Sequence, residues 1–594
     1  MKVNKPFQVV VGLAVWLAGL APLLGGEPAR PPVNASDLWG VAGEKWTPRS
    51  RLPDFSFAGY HAGQKPIPDV AAKADIKEFG AKGDGATDDT AAFQHAIASA
   101  TNGAIAVPAG RYRITGALVI QKPGVVLRGE GEGKTTLYFE KSFEALLGVG
   151  KVPYWGGLLE VRGVQKGKKL TGVTAAAKRG DTRLTVASAA GISAGQWIRL
   201  RMRNPADNSL GSYLYADRSA LNVERRRWYD GQIVDWVVPV AAAGGNTITL
   251  ARPLRLDVRQ QWQPEIWEHK PTVQEVGIEN LTIEFPNAQY RGHWKEEGFF
   301  AIQLLGAYNC WVRRITIVDS DIGVVIMAGG HNTVSGVTLK ARWHTGGETG
   351  ETGHYGFGVS GHAQDNLVED STLLTTFVHN LSVNSFASGN VYSRITSRSA
   401  RFDHHGGAPY ENLFTQIVVT EQGHDLFMCG GNRADEANSG ARSTLWNIRA
   451  LKGRFPANRK PDKFPQSNVI GVDRWPTQKT DDDAWIEQWP GETTLPPNLY
   501  EAQKAHRLGP GRAPKRSGSH LERASGLGTE EPGGQVGAQS ERTLSRGSQH
   551  GLSRLLPRPS GRAVRTLCGT ASSNSARIGR SGKALAPIGS AVSC

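Results

Sequence analysis

Cysteine is scarce in this chain, with four among 594 residues. Cys310 and Cys429 stand far apart, and Cys568 and Cys594 lie near the end, which excludes a disulfide framework and any cysteine-based metal spacing. Long apolar runs are lacking except for Phe7 to Leu24, so a polytopic membrane protein is excluded. That run follows Lys2 and Lys5 and precedes Gly25-Gly26, the layout of a signal peptide over 1–26. The expectation is export to the periplasm or beyond, with no membrane partner after signal removal; a single N-terminal anchor is the other reading. Acidic residues are deficient only at one end. The net charge is +15, but residues 501–594 hold 15 Lys/Arg against 5 Asp/Glu, leaving the other 500 residues at +5. The basic balance therefore gives no reason to expect nucleic acid as a partner of the folded part. After Gly509 there is no Asp, Phe, Tyr, Trp or Met. Such a stretch cannot bury a core, so 510–594 reads as a disordered basic tail or as the product of a shifted reading frame.

What the chain does have is a repeat of about 23 residues. It reads NCWVRRITI from Asn309, NTVSGVTL from Asn332, NLVEDSTL from Asn366, NVYSRITS from Asn390 and NLFTQIVV from Asn412, with successive steps of 23, 34, 24 and 22. The long step holds the insert WHTGGETGETG. Short β-branched runs between Gly/Asn turns at this period predict a stacked solenoid. Neighbouring coils pair at about 4.8 Å, so equivalent positions form columns. The Asn residues are expected to make a ladder. The turn about ten residues before each Asn supplies Asp321, His354, His379, Asp403-His404-His405 and His424-Asp425, a line of acid–base groups along one face.

Residues 74 to 137 predict a strand at Ile76, a Gly/Asp turn, a helix from Thr87 with Asp88 and Asp89 in its first turn, and short strands at Ile105, Tyr112, Leu118 and Val125. The matching residues Phe79-Gly80-Ala81, Gly83-Asp84-Gly85, Thr87-Asp88-Asp89-Thr90, Val107-Pro108-Ala109-Gly110-Arg111-Tyr112 and Leu127-Arg128-Gly129 resemble the opening of the pectate-lyase-like right-handed parallel β-helix family, which includes rhamnogalacturonase-like and epimerase-like proteins. The resemblance implies an all-β fold: a right-handed parallel β-helix solenoid with a short N-terminal capping helix. It also implies that the Asp residues of this segment are structural.

Further along, the organisation reads as an irregular segment at 27–73, the cap and first coils at 74–169, an inserted small β subdomain at 170–256, main coils with a groove at 257–455 and a C-terminal cap segment at 456–509. Arg225-Arg226-Arg227 and Asp481-Asp482-Asp483 read as solvated runs.

The chemistry expected of the column is the cleavage or modification of a polysaccharide, one bearing uronic acids. Elimination needs a base for the proton beside the carboxylate, a cation to neutralise that carboxylate and an acid for the leaving oxygen. His379, Asp403, His404, His405, His424 and Asp425 are the catalytic candidates. Asp321, His354, Tyr355, Arg401 and Trp343 are the substrate-binding candidates. His404 or His379 would be the base and Asp403 its partner; Arg401, Arg342 or a bound cation would neutralise. No cofactor is fixed by the sequence; calcium is the one considered. A glycoside hydrolase using Asp403 and Asp425 and a non-catalytic glycan-binding β-helix are the alternatives.

Overall fold

The computed structural model describes residues 34–217, 231–342, 350–422, 425–430, 439–476 and 483–509. The apolar run from Phe7 to Leu24, Arg225–Arg227, Trp343, His424, Asp481, Asp482 and the tail from 510 lie outside the described residues.

Strands of successive coils pair in parallel with one another. One interior column passes through Ile105, Leu127, Ile278, Val312, Val334, Val368, Tyr392, Phe414, Leu445 and Val469. All ten are buried in the main core. A β-branched or aromatic side chain suits such a column because it fills the half-buried pleat against the coils above and below. The fold is thus the parallel β-helix expected from the repeat.

The Asn ladder is present. Asn332 Nδ2 donates to Asn366 Oδ1 at 2.9 Å, Asn366 Nδ2 to Asn390 Oδ1 at 2.8 Å and Asn390 Nδ2 to Asn412 Oδ1 at 3.0 Å. Asn309 is not its first rung. The register places Trp311 opposite Thr333, so Cys310 occupies the rung position and its N–H donates to Asn332 Oδ1 at 2.9 Å. The ladder position goes on to Ser443, whose Oγ accepts the Asn412 N–H.

At the N-terminal end the helix spans Thr90–Ser99, not from Thr87, because Asp84–Asp88 pairs as a strand. Asp89 lies before the helix and its carboxylate accepts the N–H groups of Lys82 at 2.6 Å and Gly83 at 3.0 Å, fixing the glycine turn. Phe93 and Ile97 of the helix are buried on the first coil, covering an otherwise open end.

The insert is a six-stranded antiparallel sheet in the order Lys169–Gly172, Glu265–Glu268, Trp197–Arg203, Gln232–Gly244, Thr247–Leu250, Arg183–Thr185. It runs to Glu268, beyond the expected boundary at 256, because Glu265–Glu268 returns between the first and third strands. Buried ion pairs dock it on the coils. Asp365 takes Arg252 at 2.8 Å and Arg255 at 2.6 Å, and Glu411 takes Arg179 at 3.0 Å and Arg442 at 2.9 Å.

Coil pairing also continues past 455, through Asn468–Val472 and Trp485–Glu487. Then helix Leu499–Leu508 lies along one flank beside the segment from Asn34. Trp39, Leu52 and Phe55 pack there with Leu367, Val391, Leu413, Trp446 and Ile470 of the coils and with Leu499 and Tyr500. Asn34–Ala35 pairs with Thr494–Leu495, and Gln503 bridges Phe55 N (2.8 Å) and Pro53 O (2.9 Å). Among the described residues no helix is long and apolar enough to cross a membrane.

Candidate active site

The groove sheet runs in order through Leu118–Ile120, Leu159–Arg162, Phe300–Leu305, Ile322–Met327, Gly353–Ser360, Phe377–Val383 and Phe402–His404. Its pairing register separates two neighbouring columns. Ile120, Val161, Leu304, Ile326, Val359, Val383 and His404 form the inner one; Val119, Glu160, Gln303, Val325, Gly358, Ser382 and Asp403 form the outer one. His404 therefore continues an aliphatic column. Its ring lies 5.1 Å from that of Phe414 and 4.9 Å from that of Phe464, and burial pushes its pKa down to about 4. The expectation of His404 as a base is corrected: side chains alternate across a strand, and Asp403 has the outward turn.

His379 reaches the outer face by a break in that alternation. The N–H groups of Asn380 and Leu381 both point at Arg401 O, at 3.0 and 3.3 Å, and those of His354 and Tyr355 both point at Asp321 O, at 2.6 and 3.3 Å. Such a bulge re-aims side chains. Asn380 turns inward, where Nδ2 donates to Ser397 Oγ at 2.9 Å and Ser399 O at 2.7 Å. His379 turns outward beside Tyr355, its register partner, with ring centres 4.8 Å apart.

Asp403 is the hub of what results. It is fully buried. Its Oδ2 lies 3.0 Å from His405 Nδ1, 3.4 Å from His379 Nδ1 and 3.0 Å from Ser382 Oγ, while Oδ1 accepts Gly430 N–H at 2.8 Å. Burial alone would raise its pKa. The adjacent His379 and His405, with the hydrogen bonds from His405 and Gly430, outweigh that and hold it well below the usual carboxylate range. His379 is pushed the other way, down to about 3, chiefly by burial, so it is a neutral imidazole.

A second carboxylate mirrors the first. Glu296 Oε1 lies 3.0 Å from His354 Nδ1 and accepts from Tyr290 Oη at 2.9 Å and Trp294 N–H at 3.0 Å. Burial opposes its ionisation, but the hydrogen bonds from His354 and Tyr290 bring its pKa to about 2. His354 is buried and its pKa is lowered, mainly by desolvation. His293 completes the group, its ring 4.5 Å from that of His354 and 5.8 Å from that of His379. Trp294 is exposed beside it and stacks on Tyr154 at 5.3 Å; Tyr154 Oη meets Tyr355 Oη at 2.5 Å.

The other sequence candidates fall elsewhere. Asp321 is buried, and its Oδ2 accepts the N–H groups of Gly298 and Phe299 at 2.9 Å each, clasping the groove loop rather than facing it. Arg401 pairs with Glu351 at 2.8 Å, and Arg342 with Asp319 and Glu284. Asp425 Oδ1 accepts Phe427 N–H at 2.5 Å, closing its own turn. His354, Tyr355, His379, Asp403 and His405 are brought together.

His293, Trp294, Glu296, Tyr290 and Tyr154 were missed because they lie on connections outside the repeat. A signal was available: the connection between Gly277–Glu284 and Phe300–Leu305 is long, and it carries His, Trp and Glu. Loops of such length in compact folds are usually functional. Two donor sets in this region are close enough to share a metal ion, His293 with His354 and His379, and His379 with Asp403 and His405. Nitrogen-rich sets of this kind suit transition ions, whereas calcium takes oxygen ligands.

Comparison with known proteins adds a likeness over one segment. Residues 74–178 match the Rhamnogalacturonase A/epimerase, pectate lyase-like family. Alginate lyase 7 of Azotobacter vinelandii is 44% identical over 72 residues, 10% of this chain and 8% of that protein. Mannuronan C5-epimerase AlgE4 of the same organism is 41% identical over 71 residues, 10% of this chain and 13% of its own length. The chain thus spans only a small part of these relatives. Among solved structures, the tailspike protein gp49 of Pseudomonas phage LKA1 superposes with a TM-score of 0.44 at 14% identity, over 67% of this chain and 70% of that one. Over residues 74–178, which span the capping helix, the first coils and the start of the insert, the chain is similar to the Rhamnogalacturonase A/epimerase, pectate lyase-like family.

Proposed function

We propose that this protein is an exported enzyme that modifies or cleaves a uronic-acid-bearing polysaccharide by proton abstraction beside the carboxylate. The observation that carries this reading is the buried Asp403 holding imidazoles on both sides, His379 and His405, next to the Tyr154–Tyr355 hydroxyl pair. The imidazoles take the proton at C5. The hydroxyl pair protonates the leaving oxygen in elimination, or returns a proton to the opposite face in epimerisation. Burial, Tyr154 and Asp403 raise the Tyr355 pKa well above its ordinary value, which keeps that hydroxyl a donor. Exposed Trp294 offers a stacking face for a sugar ring. The names of the relatives matched over the short N-terminal segment, an alginate lyase and mannuronan C5-epimerases, favour this chemistry over hydrolysis.

The test is incubation with alginate-like, pectic and neutral glycans, reading ultraviolet absorbance, new reducing ends and exchange of the C5 proton into solvent deuterium. Absorbance means elimination and exchange alone means epimerisation. Reducing ends without absorbance mean hydrolysis and overturn the reading. Binding with none of these signals identifies a glycan-binding protein and overturns it as well.

A further inference from the structure

Two carboxylates of the site lie largely out of water. The Asp403 side chain is fully buried and that of Glu296 is 9% exposed, and among the described residues neither pairs with Lys or Arg. Their nearest partners are the imidazoles of His405, His379 and His354. A carboxylate taken out of water calls for hydrogen bonds or a positive charge beside it.

The imidazoles carry a complementary anomaly. His354 Nε2 and both ring nitrogens of His379 are buried without a hydrogen-bond partner, although these side chains are only 3% and 4% exposed. A buried polar nitrogen left without a hydrogen bond is costly, so a cluster of them calls for an explanation. The carboxylates fix which nitrogens point where. Glu296 takes His354 Nδ1 and Asp403 lies against His379 Nδ1, so in each ring Nε2 is the atom left without a carboxylate. With His293, these rings offer nitrogen atoms all within 4.8 Å of one another. Around a tetrahedral ion with bonds of about 2.0–2.1 Å, nitrogens stand about 3.4 Å apart, so a closure of roughly an ångström completes the site. His293 stands on the exposed loop and is the member free to make that movement.

We infer that His293, His354 and His379 bind a divalent transition metal ion of the zinc type, with Glu296 and Asp403 as the carboxylates that orient the ligands and balance its charge. Each part has a physical counterpart: three imidazoles with ring nitrogens near enough to share one ion, and carboxylates on the far nitrogens of two of them. Three protein ligands leave a fourth position for water or a substrate oxygen. The second donor set, His379 with Asp403 and His405, is the weaker choice because Asp403 is already engaged by Ser382 and Gly430. With His379 on the ion, proton transfer falls to His405 and the Tyr154–Tyr355 pair. The inference does not depend on the polysaccharide, since metal binding is measured without one.

The full chain is stripped with a chelator and titrated with Co²⁺, reading visible absorption, and with Zn²⁺, reading calorimetry and thermal unfolding. One ion per chain is expected, with intense tetrahedral cobalt bands and a Tm that rises with Zn²⁺. His293→Ala removes an exposed loop side chain and so leaves the fold intact; it should abolish the tetrahedral bands, as should His379→Ala. Glu296→Gln should weaken binding about 10- to 100-fold. His95→Ala, on the exposed face of the N-terminal helix, should change nothing. Absence of stoichiometric binding at micromolar concentrations overturns the inference. So do cobalt bands that survive both His293→Ala and His379→Ala.

Discussion

Replacing Asn390 by alanine removes one rung of the ladder, and the structure sets the size of the effect. Asn390 Oδ1 accepts from Asn366 N–H at 3.1 Å and Asn366 Nδ2 at 2.8 Å. Its Nδ2 donates to Ala363 O at 2.9 Å and Asn412 Oδ1 at 3.0 Å. Three of the four partners keep another bond: Ser388 N–H still reaches Ala363 O, Asn390 N–H still reaches Asn412 Oδ1, and Asn366 Nδ2 still reaches Gly329 O at 3.2 Å. The Asn366 N–H does not, and that residue is fully buried. At about 1–3 kcal/mol for an orphaned group, the loss should be about 2 kcal/mol. Asn390→Ser should lose less, because serine already serves at the same position in Ser443. Asn390→Asp should lose more, because an anionic oxygen then faces Ala363 O and Asn412 Oδ1. Since a solenoid can open coil by coil, hydrogen exchange at the Asn366 amide is the primary measurement, with denaturant unfolding beside it. An alanine variant that loses less than about 1 kcal/mol and keeps full Asn366 protection refutes the ladder as a source of stability.

In the groove, His379→Ala and Asp403→Asn should each reduce turnover on the responsive glycan by about 100-fold or more with circular dichroism unchanged, as expected when a member of the proposed catalytic cluster is lost. Asp365→Asn should destabilise the chain by about 3–5 kcal/mol, because two buried arginines lose their counter-charge; denaturant titration reads this. Arg252 and Arg255 hold the Asp365 carboxyl below its ordinary value against burial, and Arg179, Arg442 and Arg255 do the same for Glu411. A depressed folded pKa gives stability that is complete above the unfolded value of about 4 and disappears as pH falls through it and below. Acid unfolding should therefore be shallower in Asp365→Asn than in the wild type. Truncation after Gly509 should leave the melting temperature unchanged, because helix Leu499–Leu508 completes the flank packing.

The coil architecture was legible because identical small units stack, so the period and the Asn rungs appear directly in the sequence. The rung at Cys310 was not, since its neighbour Asn309 imitates the motif one residue early. His379 and Asp403 were legible as chemistry, but the phase of their strands was not. The run Asp403-His404-His405 does not reveal that a bulge one coil earlier sends His379 outward while strict alternation sends His404 into the aliphatic column. Glu296 and His293 belong to no repeat at all. They meet the column only because Asp321, itself expected to bind substrate, clasps their loop at Gly298 and Phe299.

The flank packing has a mechanical consequence. A stack held only by nearest neighbours frays from its ends, one layer at a time. Here residues near both ends of the described chain lie side by side across Leu367, Val391, Leu413, Trp446 and Ile470, tying consecutive layers to one longitudinal splint. The last layer cannot peel away without first lifting that splint from the layers bearing His379, Asp403 and His405. The cluster of His379, Asp403 and His405 therefore sits in the stretch that should be the last to open, while the loop carrying His293 stays outside the splint.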